Sequence, residues 1–242
     1  MTESAEVPVQ QRPVCVVVGV GPGIGASYAR RFSQAGYRVA LLARGDAFTA
    51  PLADSLEGAK HYRCDITVEA EVTKTFAAIR EELGDPEVLL YNAGSGVFTS
   101  FADTTAAQME TAWRINTLGA FLCGKEVLPG MQRAGKGVIV FTGATASRKG
   151  GARATPFSSA KGAQRLLAES MARSLGPQGI HVALIVVDGV VDLERTRQRM
   201  PDKPDTFFVS PDAVADLALS LVRQDRQAWS FEVEARPFAE SW

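Results

Sequence analysis

The chain has 242 residues, 46% of them hydrophobic, and its 26 Lys and Arg against 27 Asp and Glu leave a formal charge of −1. That length suits one α/β domain with a sizeable core, and the balanced charge supplies no basic block for nucleic acid. No apolar run approaches the roughly 20 residues that a membrane-spanning helix needs, so a membrane is not an expected partner either.

Residues 1–13, MTESAEVPVQQRP, are polar and lack the apolar core of a signal peptide. They are expected to be a flexible tail on a cytoplasmic protein. From residue 14 to 242 no composition break suggests a linker, so one domain is expected. Val14–Val18 is a run of β-branched and small apolar residues and predicts a strand buried on both faces. The turn GVGPGIG follows, with Gly19, Gly21, Gly23 and Gly25, and leads into a helix over Ala26–Ala35 with Ile24, Tyr28 and Phe32 on one face. Glycines let a backbone turn tightly and approach a pyrophosphate, whose charge the free N–H groups of a helix start can hold. A lone glycine-rich turn is weak evidence, but a strand before it, a helix after it and a second strand over Arg38–Ala43 favour dinucleotide binding.

His61–Cys64 leads to Asp65 and Ile66, and Val68–Leu83 repeats Val72, Phe76 and Ile79 at helical spacing. Glu87–Tyr91 predicts a buried strand that ends in Asn92-Ala93-Gly94. Phe98 and Phe101 read as core or as the wall of a pocket. Ala106–Met131 predicts a helical region carrying Trp113, Ile115, Phe121 and Leu122. Gly137–Thr142 is a strand, and Phe157–Leu175 a long helix with Ala160, Ala163, Leu167 and Met171 on one stripe. His181–Val187 is a further strand, Pro211–Val222 a helix and Ser230–Ala235 a last short strand. Leu193–Phe208, with two prolines, mixed charge and weak periodicity, reads as a surface loop. Cys15, Cys64 and Cys123 are widely spaced without metal-like pairing and are expected to be buried thiols.

Strands alternating with helices predict a Rossmann-type doubly wound parallel sheet with helices on both faces. Ligands of such sheets sit beyond the carboxyl ends of the strands. Gly19–Gly25, Asn92–Gly94, Thr142–Ser147 and Asp188–Val191 all follow strands and should gather on one rim.

Together these landmarks resemble the short-chain dehydrogenase/reductase family over nearly the whole chain after the tail. GVGPGIG is similar to its TGxxxGxG turn, with Val18 where Thr is usual, and YNAG at 91–94 to its NNAG. Asp65 stands where the family has an acidic residue facing the adenine, Asn116 matches its helix asparagine, and Lys161 matches the lysine of YxxxK. The resemblance implies a nicotinamide cofactor contacted by Gly19, Gly21, Gly23, Ile24, Gly25, Arg44, Asp65, Ile66, Asn92, Ala93, Gly94, Lys161, Gly189 and Val191. It also implies a small-molecule substrate, a lid over Leu193–Phe208, and a homodimer or homotetramer built on Ala112–Leu128 and Phe157–Leu175.

The departures fall on the catalytic positions. The family tyrosine is Phe157 here, and the serine position, 13 residues upstream, is Ala144, with Thr142 and Thr145 nearby. Asp188-Gly189 replaces Pro-Gly. A phenyl ring has no dissociable proton, and Ser158 and Ser159 point off the face that Phe157 occupies. Ala43-Arg44 at the end of the second strand lacks the acidic residue that would repel a ribose 2′-phosphate, and Arg44 offers it a guanidinium, so NADP is expected over NAD. Asp46 nearby weakens that case. The expected activity is that of an NADP(H)-binding oxidoreductase-like protein with a degenerate catalytic site. The alternatives are a redox-silent nucleotide-binding member, or an isomerase or cyclase using the same pocket.

Overall fold

The structure, a computed structural model, describes residues 8–239; the first seven residues of the expected tail lie outside the described residues. The remainder of that segment is packed: Val9–Gln11 form a 3-10 turn, and Arg12 pairs with Glu57 at 2.8 Å.

From Val14 the chain alternates strand and helix. β1 (Val14–Val18) leads through the glycine turn to α1 (Ile24–Gln34) and β2 (Arg38–Ala43). A short α2 (Thr49–Asp54), β3 (Lys60–Arg63), α3 (Glu69–Glu82) and β4 (Pro86–Tyr91) follow. Next come α4 (Ala106–Trp113), a π-helical turn over Arg114–Leu118, α5 (Gly119–Ala134), β5 (Gly137–Ala144), α6 (Thr155–Leu175) and β6 (Ile180–Val187). The chain closes with β7 (Val190–Val191), α7 (Glu194–Arg199), β8 (Phe208–Val209), α8 (Pro211–Val222) and β9 (Glu232–Ala235).

Among the described residues seven strands form one parallel sheet in the order β3-β2-β1-β4-β5-β6-β9. Period-2 alternation sends neighbouring side chains of each strand to opposite faces. In β1, Val14, Val16 and Val18 join a core shared with α3, α5 and α6, and Cys15 and Val17 join one shared with α1, α2 and α8. Ile24, Tyr28 and Phe32 of α1, and Val72, Phe76 and Ile79 of α3, are buried on the stripes their spacing predicts. The three cysteines are free and buried, Cys15 against one face of the sheet and Cys64 and Cys123 against the other. No helix among the described residues is long and apolar enough to cross a membrane.

Four expectations need correction. Ala106–Met131 is not one regular helix, because a π turn divides it at Arg114–Leu118. Of the two readings of Phe98 and Phe101, core is overturned: Phe101 is 84% exposed, and Phe98, 64% exposed, keeps one ring contact, with Phe157. On α6 the fully buried stripe is Ala160, Lys161, Gln164, Ala168 and Leu175, rotated from the apolar stripe, with Leu167 and Met171 only partly covered. The segment Leu193–Phe208 is more than a loop. It holds α7, and β7 pairs in parallel with β8 in a separate two-stranded sheet.

Candidate functional site

The strand order reverses between β1 and β4, and the crevice opens there, beyond the carboxyl ends of the strands. Its floor is the glycine turn. Gly19 N and Val20 N donate to Leu42 O at 2.9 and 3.0 Å, and Asn92 Nδ2 donates to Gly19 O at 2.9 Å, so β2 and β4 hold the turn from both sides. Gly19 has φ +83°, and a Cβ there would lie 2.5 Å from the Ala93 backbone; at Gly25 it would lie 2.7 Å from Gly19 O. Both positions therefore demand glycine. At Gly21 nothing stands within 4 Å of such a Cβ, so the backbone is open to the cleft.

The cleft has a volume of about 1300 Å³. It is lined by Gly19, Gly21, Gly23, Ile24 and Gly25 of the turn, Arg44 after β2, and Asp65 and Ile66 after β3. Asn92, Ala93 and Gly94 after β4 and Val191 of β7 also stand on its walls, whereas Lys161, expected in the same set, lies behind them and does not line the cleft. Gly189 is not among the lining residues: a Cβ there would lie 2.9 Å from Pro237 and from Val209. Lining residues outside the expected set include Leu193, Glu194 and Arg195 at and after the start of α7, and Thr111, Arg114 and Ile115 at the junction of α4 and the π turn. Leu193 closes over the turn, since a Cβ on Gly23 would lie 2.5 Å from its Cδ2.

Asp65 is held by its own loop. Its Oδ1 accepts from Thr67 N at 2.9 Å and Thr67 Oγ1 at 2.7 Å, and the backbone bond, ahead of the Arg44 charge, keeps its carboxyl below the ordinary range. Arg44 is exposed on the same wall.

Beneath Gly94 lies a buried polar cluster. Lys161 Nζ donates to Thr142 O at 2.8 Å and to Gln164 Oε1 at 3.0 Å, and Gln164 Nε2 donates to Asn116 O at 2.8 Å. The π turn places Asn116 in this cluster: its Nδ2 donates to Ala112 O at 2.8 Å and Ser95 O at 3.3 Å, and Tyr91 OH donates to the carbonyl of Ile115. π turns inside helices recur at functional sites because they free main-chain groups in this way. Asn116 Oδ1 is buried and has no hydrogen-bond partner. A Cβ on Gly94 would lie 3.4 Å from that oxygen and 3.8 Å from Lys161 Nζ, so both groups sit directly beneath Gly94, which itself lines the cleft. Burial draws the Lys161 pKa down to about 7.

One turn before Lys161, the Phe157 ring tilts against Phe98 with centroids 5.2 Å apart. Ala144 ends β5 and offers only its backbone N–H, which donates to Ser147 Oγ at 3.1 Å. The neighbouring hydroxyls are engaged by protein as well. Thr142 Oγ1 shares a hydrogen bond with Tyr28 OH at 3.1 Å, and Thr145 donates to Asp188. Ser159 Oγ turns back to Thr155 O at 2.9 Å, and Ser158 Oγ accepts from Gly151 N at 3.3 Å. The region thus brings together a glycine-floored cleft, a buried lysine and asparagine beneath Gly94, and, one turn before that lysine, a ring pair without an acid.

A parallel sheet with a glycine-floored crevice at its switch point defines a nucleotide-binding α/β protein. The chain belongs to the short chain dehydrogenase family, whose profile matches residues 13–203. It is 32% identical over 185 residues to a short-chain dehydrogenase/reductase of Armillaria gallica, covering 74% of this chain and 71% of that protein. A short-chain dehydrogenase from Rhodopseudomonas palustris has a similar structure, with a TM-score of 0.80 and 33% identity over 93% of this chain and 99% of the other. Actinorhodin polyketide ketoreductase, solved with NADPH, superposes with a TM-score of 0.86 at 25% identity, covering 94% of this chain and 97% of the other.

Proposed function

We propose that the protein is an NADP(H)-dependent reductase acting on a small-molecule iminium ion or a C=C bond conjugated to a carbonyl, and not on unactivated ketones. The observation that carries this reading is the pairing of a complete nucleotide cleft with Phe157 and Ala144 at the two positions where the family resemblance expects an acid and a hydroxyl. The residues present fit the dinucleotide. The open backbone at Gly21 suits a pyrophosphate, the unpartnered Asn116 Oδ1 suits a hydroxyl donor, and Arg44 suits a 2′-phosphate.

When bound, NADPH supplies a hydride. Reduction of a ketone would leave an alkoxide beside the Phe157 and Phe98 rings, and an unpaired charge on an apolar wall is costly. An iminium carbon that gains a hydride becomes a neutral amine and needs no proton. The two rings also present faces that attract its positive charge. Hydride addition to a conjugated C=C bond gives an enolate, whose charge is delocalised and far less basic than an alkoxide, and this takes its proton on carbon from water or a group elsewhere in the pocket. Lys161 spends two N–H groups on Thr142 and Gln164, and in this reading its third holds the cofactor, a contact it would have to give up to act as proton donor.

Rapid mixing of the NADPH-loaded protein with cyclic iminium ions, enones and plain ketones tests the reading through loss of nicotinamide absorbance. Turnover of the first two classes with feeble activity on ketones is expected. Fast reduction of unactivated ketones would overturn it, and binding without any turnover would favour the redox-silent alternative. For the cofactor, Arg44→Ala is expected to weaken NADP⁺ binding by about tenfold, the low end of the ~1.5–3 kcal/mol typical of a charge-assisted hydrogen bond. Tighter binding of NAD⁺ than NADP⁺ by the wild type would refute the preference.

A further inference from the structure

We propose that Gln164 is a positioning residue for Lys161, holding its amine beneath Gly94 and closing the Asn116 main-chain carbonyl, so that Lys161 makes and breaks contacts only toward the cleft. Gln164 is fully buried in α6, three residues after Lys161, and both ends of its amide are used. Its orientation is dictated by its partners. A flipped amide would set NH₂ against the amine donors of Lys161 and its oxygen against the carbonyl of Asn116, and both contacts would repel.

The consequence is geometric. Of the three N–H groups of a lysine ammonium, one is taken by Thr142 O and one by Gln164 Oε1. The third is left for the quadrant under Gly94, which Asn116 Oδ1 also faces. A carboxamide neither gains nor loses a proton near neutrality, so the bridge from Lys161 through Gln164 to Asn116 O fixes position without conducting protons. A carboxylate at 164 would do the opposite, pinning the lysine charge.

The neighbours leave this control to Gln164. From β5 the contact is the carbonyl of Thr142, whose hydroxyl bonds Tyr28 of α1; beyond the π turn, Tyr91 of β4 bonds the carbonyl of Ile115. Burial pushes both phenols up, so they stay neutral across the range concerned. Among the described residues no carboxylate pairs with Lys161, and burial is what lowers its titration.

This inference rests on the proposed nucleotide binding for its affinity arm but not for its first measurement. In protein labelled with ¹³C at lysine Cε, with Lys161→Arg to assign the signal, Lys161 is titrated in the wild type, Gln164→Glu and Gln164→Met. Gln164→Glu keeps the acceptor facing Lys161 and is expected to raise its titration by roughly one to three pH units, as a nearby opposite charge does. Gln164→Met removes the acceptor and is expected to lower it. NADPH titrations across the same range should show wild-type affinity falling as Lys161 loses its proton, a flatter profile for Gln164→Glu, and about tenfold weaker binding for Gln164→Met. An unmoved Lys161 signal in both folded variants, or unchanged affinity in Gln164→Met, would overturn the inference. A wild type that binds no NADPH would overturn the functional reading, and the ¹³C titration would still decide the role of Gln164.

Discussion

One turn of α6 separates a phenyl ring that leans on Phe98 from an amine buried under Gly94, and the two residues make opposite demands. Phe157 adds apolar wall without a proton. Tyrosine at that position would restore the acid, and serine at 144 a hydroxyl for the substrate oxygen. Because general acid catalysis typically contributes ~10²–10⁴ in rate, Phe157→Tyr with Ala144→Ser is expected to raise ketone reduction by at least about 10²-fold, with a smaller gain from Phe157→Tyr alone. Steady-state rates on a simple ketone check this, and an unchanged double variant would refute it. Lys161 carries a stability cost that depends on pH. Its pKa is about 7 in the folded protein against 10.5 when free, so between those values the unfolded chain binds more protons. Stability therefore rises with pH across that window, and below it the full cost of a buried ammonium remains. Lys161→Met should raise the melting temperature of the ligand-free protein most at about pH 6, and the gain should shrink toward pH 10. A gain that did not change with pH would contradict this. Phe157, Ala144, Lys161 and Asn116 could be singled out in the sequence because they fall on the positions that the family resemblance marks. Gln164 was not, because a glutamine in a helix reads as solvent-facing until the helix is rotated onto the sheet and its partners come from β5 and the π turn.

The segment around α7 is tied together by one side chain. Arg197 of α7 donates to both carboxylate oxygens of Asp192 at 2.7 and 2.8 Å, pairs with Asp205, and stacks 4.6 Å from the centroid of the Phe208 ring. It thus ties both flanks of the helix together, while Thr196 Oγ1 accepts from Leu193 N at 3.0 Å at the helix start. These groups are open enough to solvent that water screens their pairing, so their worth to global stability is small. Arg197→Ala is expected to leave the melting temperature nearly unchanged and to open residues 193–208 to limited proteolysis, read by mass spectrometry of the fragments. Equal protease resistance would show that the pair of two-residue strands suffices. At the far edge of the sheet, Glu232 and Glu234 of β9 pair with Arg148 and Arg165, which blunts an edge that could otherwise recruit another strand. The principal strands and the helices that cover them follow from periodicity. Short α2, short α7 and the two-residue β7 and β8 do not, because a six-residue helix spans less than two turns of its period and a two-residue strand none, and the pairing of β7 with β8 is non-local. The π turn escaped for a different reason: its cause is tertiary, in Tyr91 and Gln164 reaching the carbonyls of Ile115 and Asn116.

Across the whole molecule, parallel strands bring the loops after β1, β2, β3 and β4 to one rim, so residues far apart in sequence share one cleft. The α4–α6 flank keeps large apolar side chains in solvent: Trp113 at 46%, Phe121 at 45% and Leu166 at 63% exposure. Such a surface suits a second copy of the chain, and a homodimer or homotetramer is expected by light scattering, with Leu166→Glu shifting it toward one chain. A single-chain mass for the wild type would refute this. The buried thiols also give the molecule a clock for its own opening. Cys64 borders the cleft, whereas Cys15 lies in the central strand β1. A thiol reagent can reach them only through fluctuations, local at the rim and near-global at the centre. Cys64 should label first and be slowed by NADPH, while Cys15 should label last, at a rate that reports the rarest breathing of the sheet.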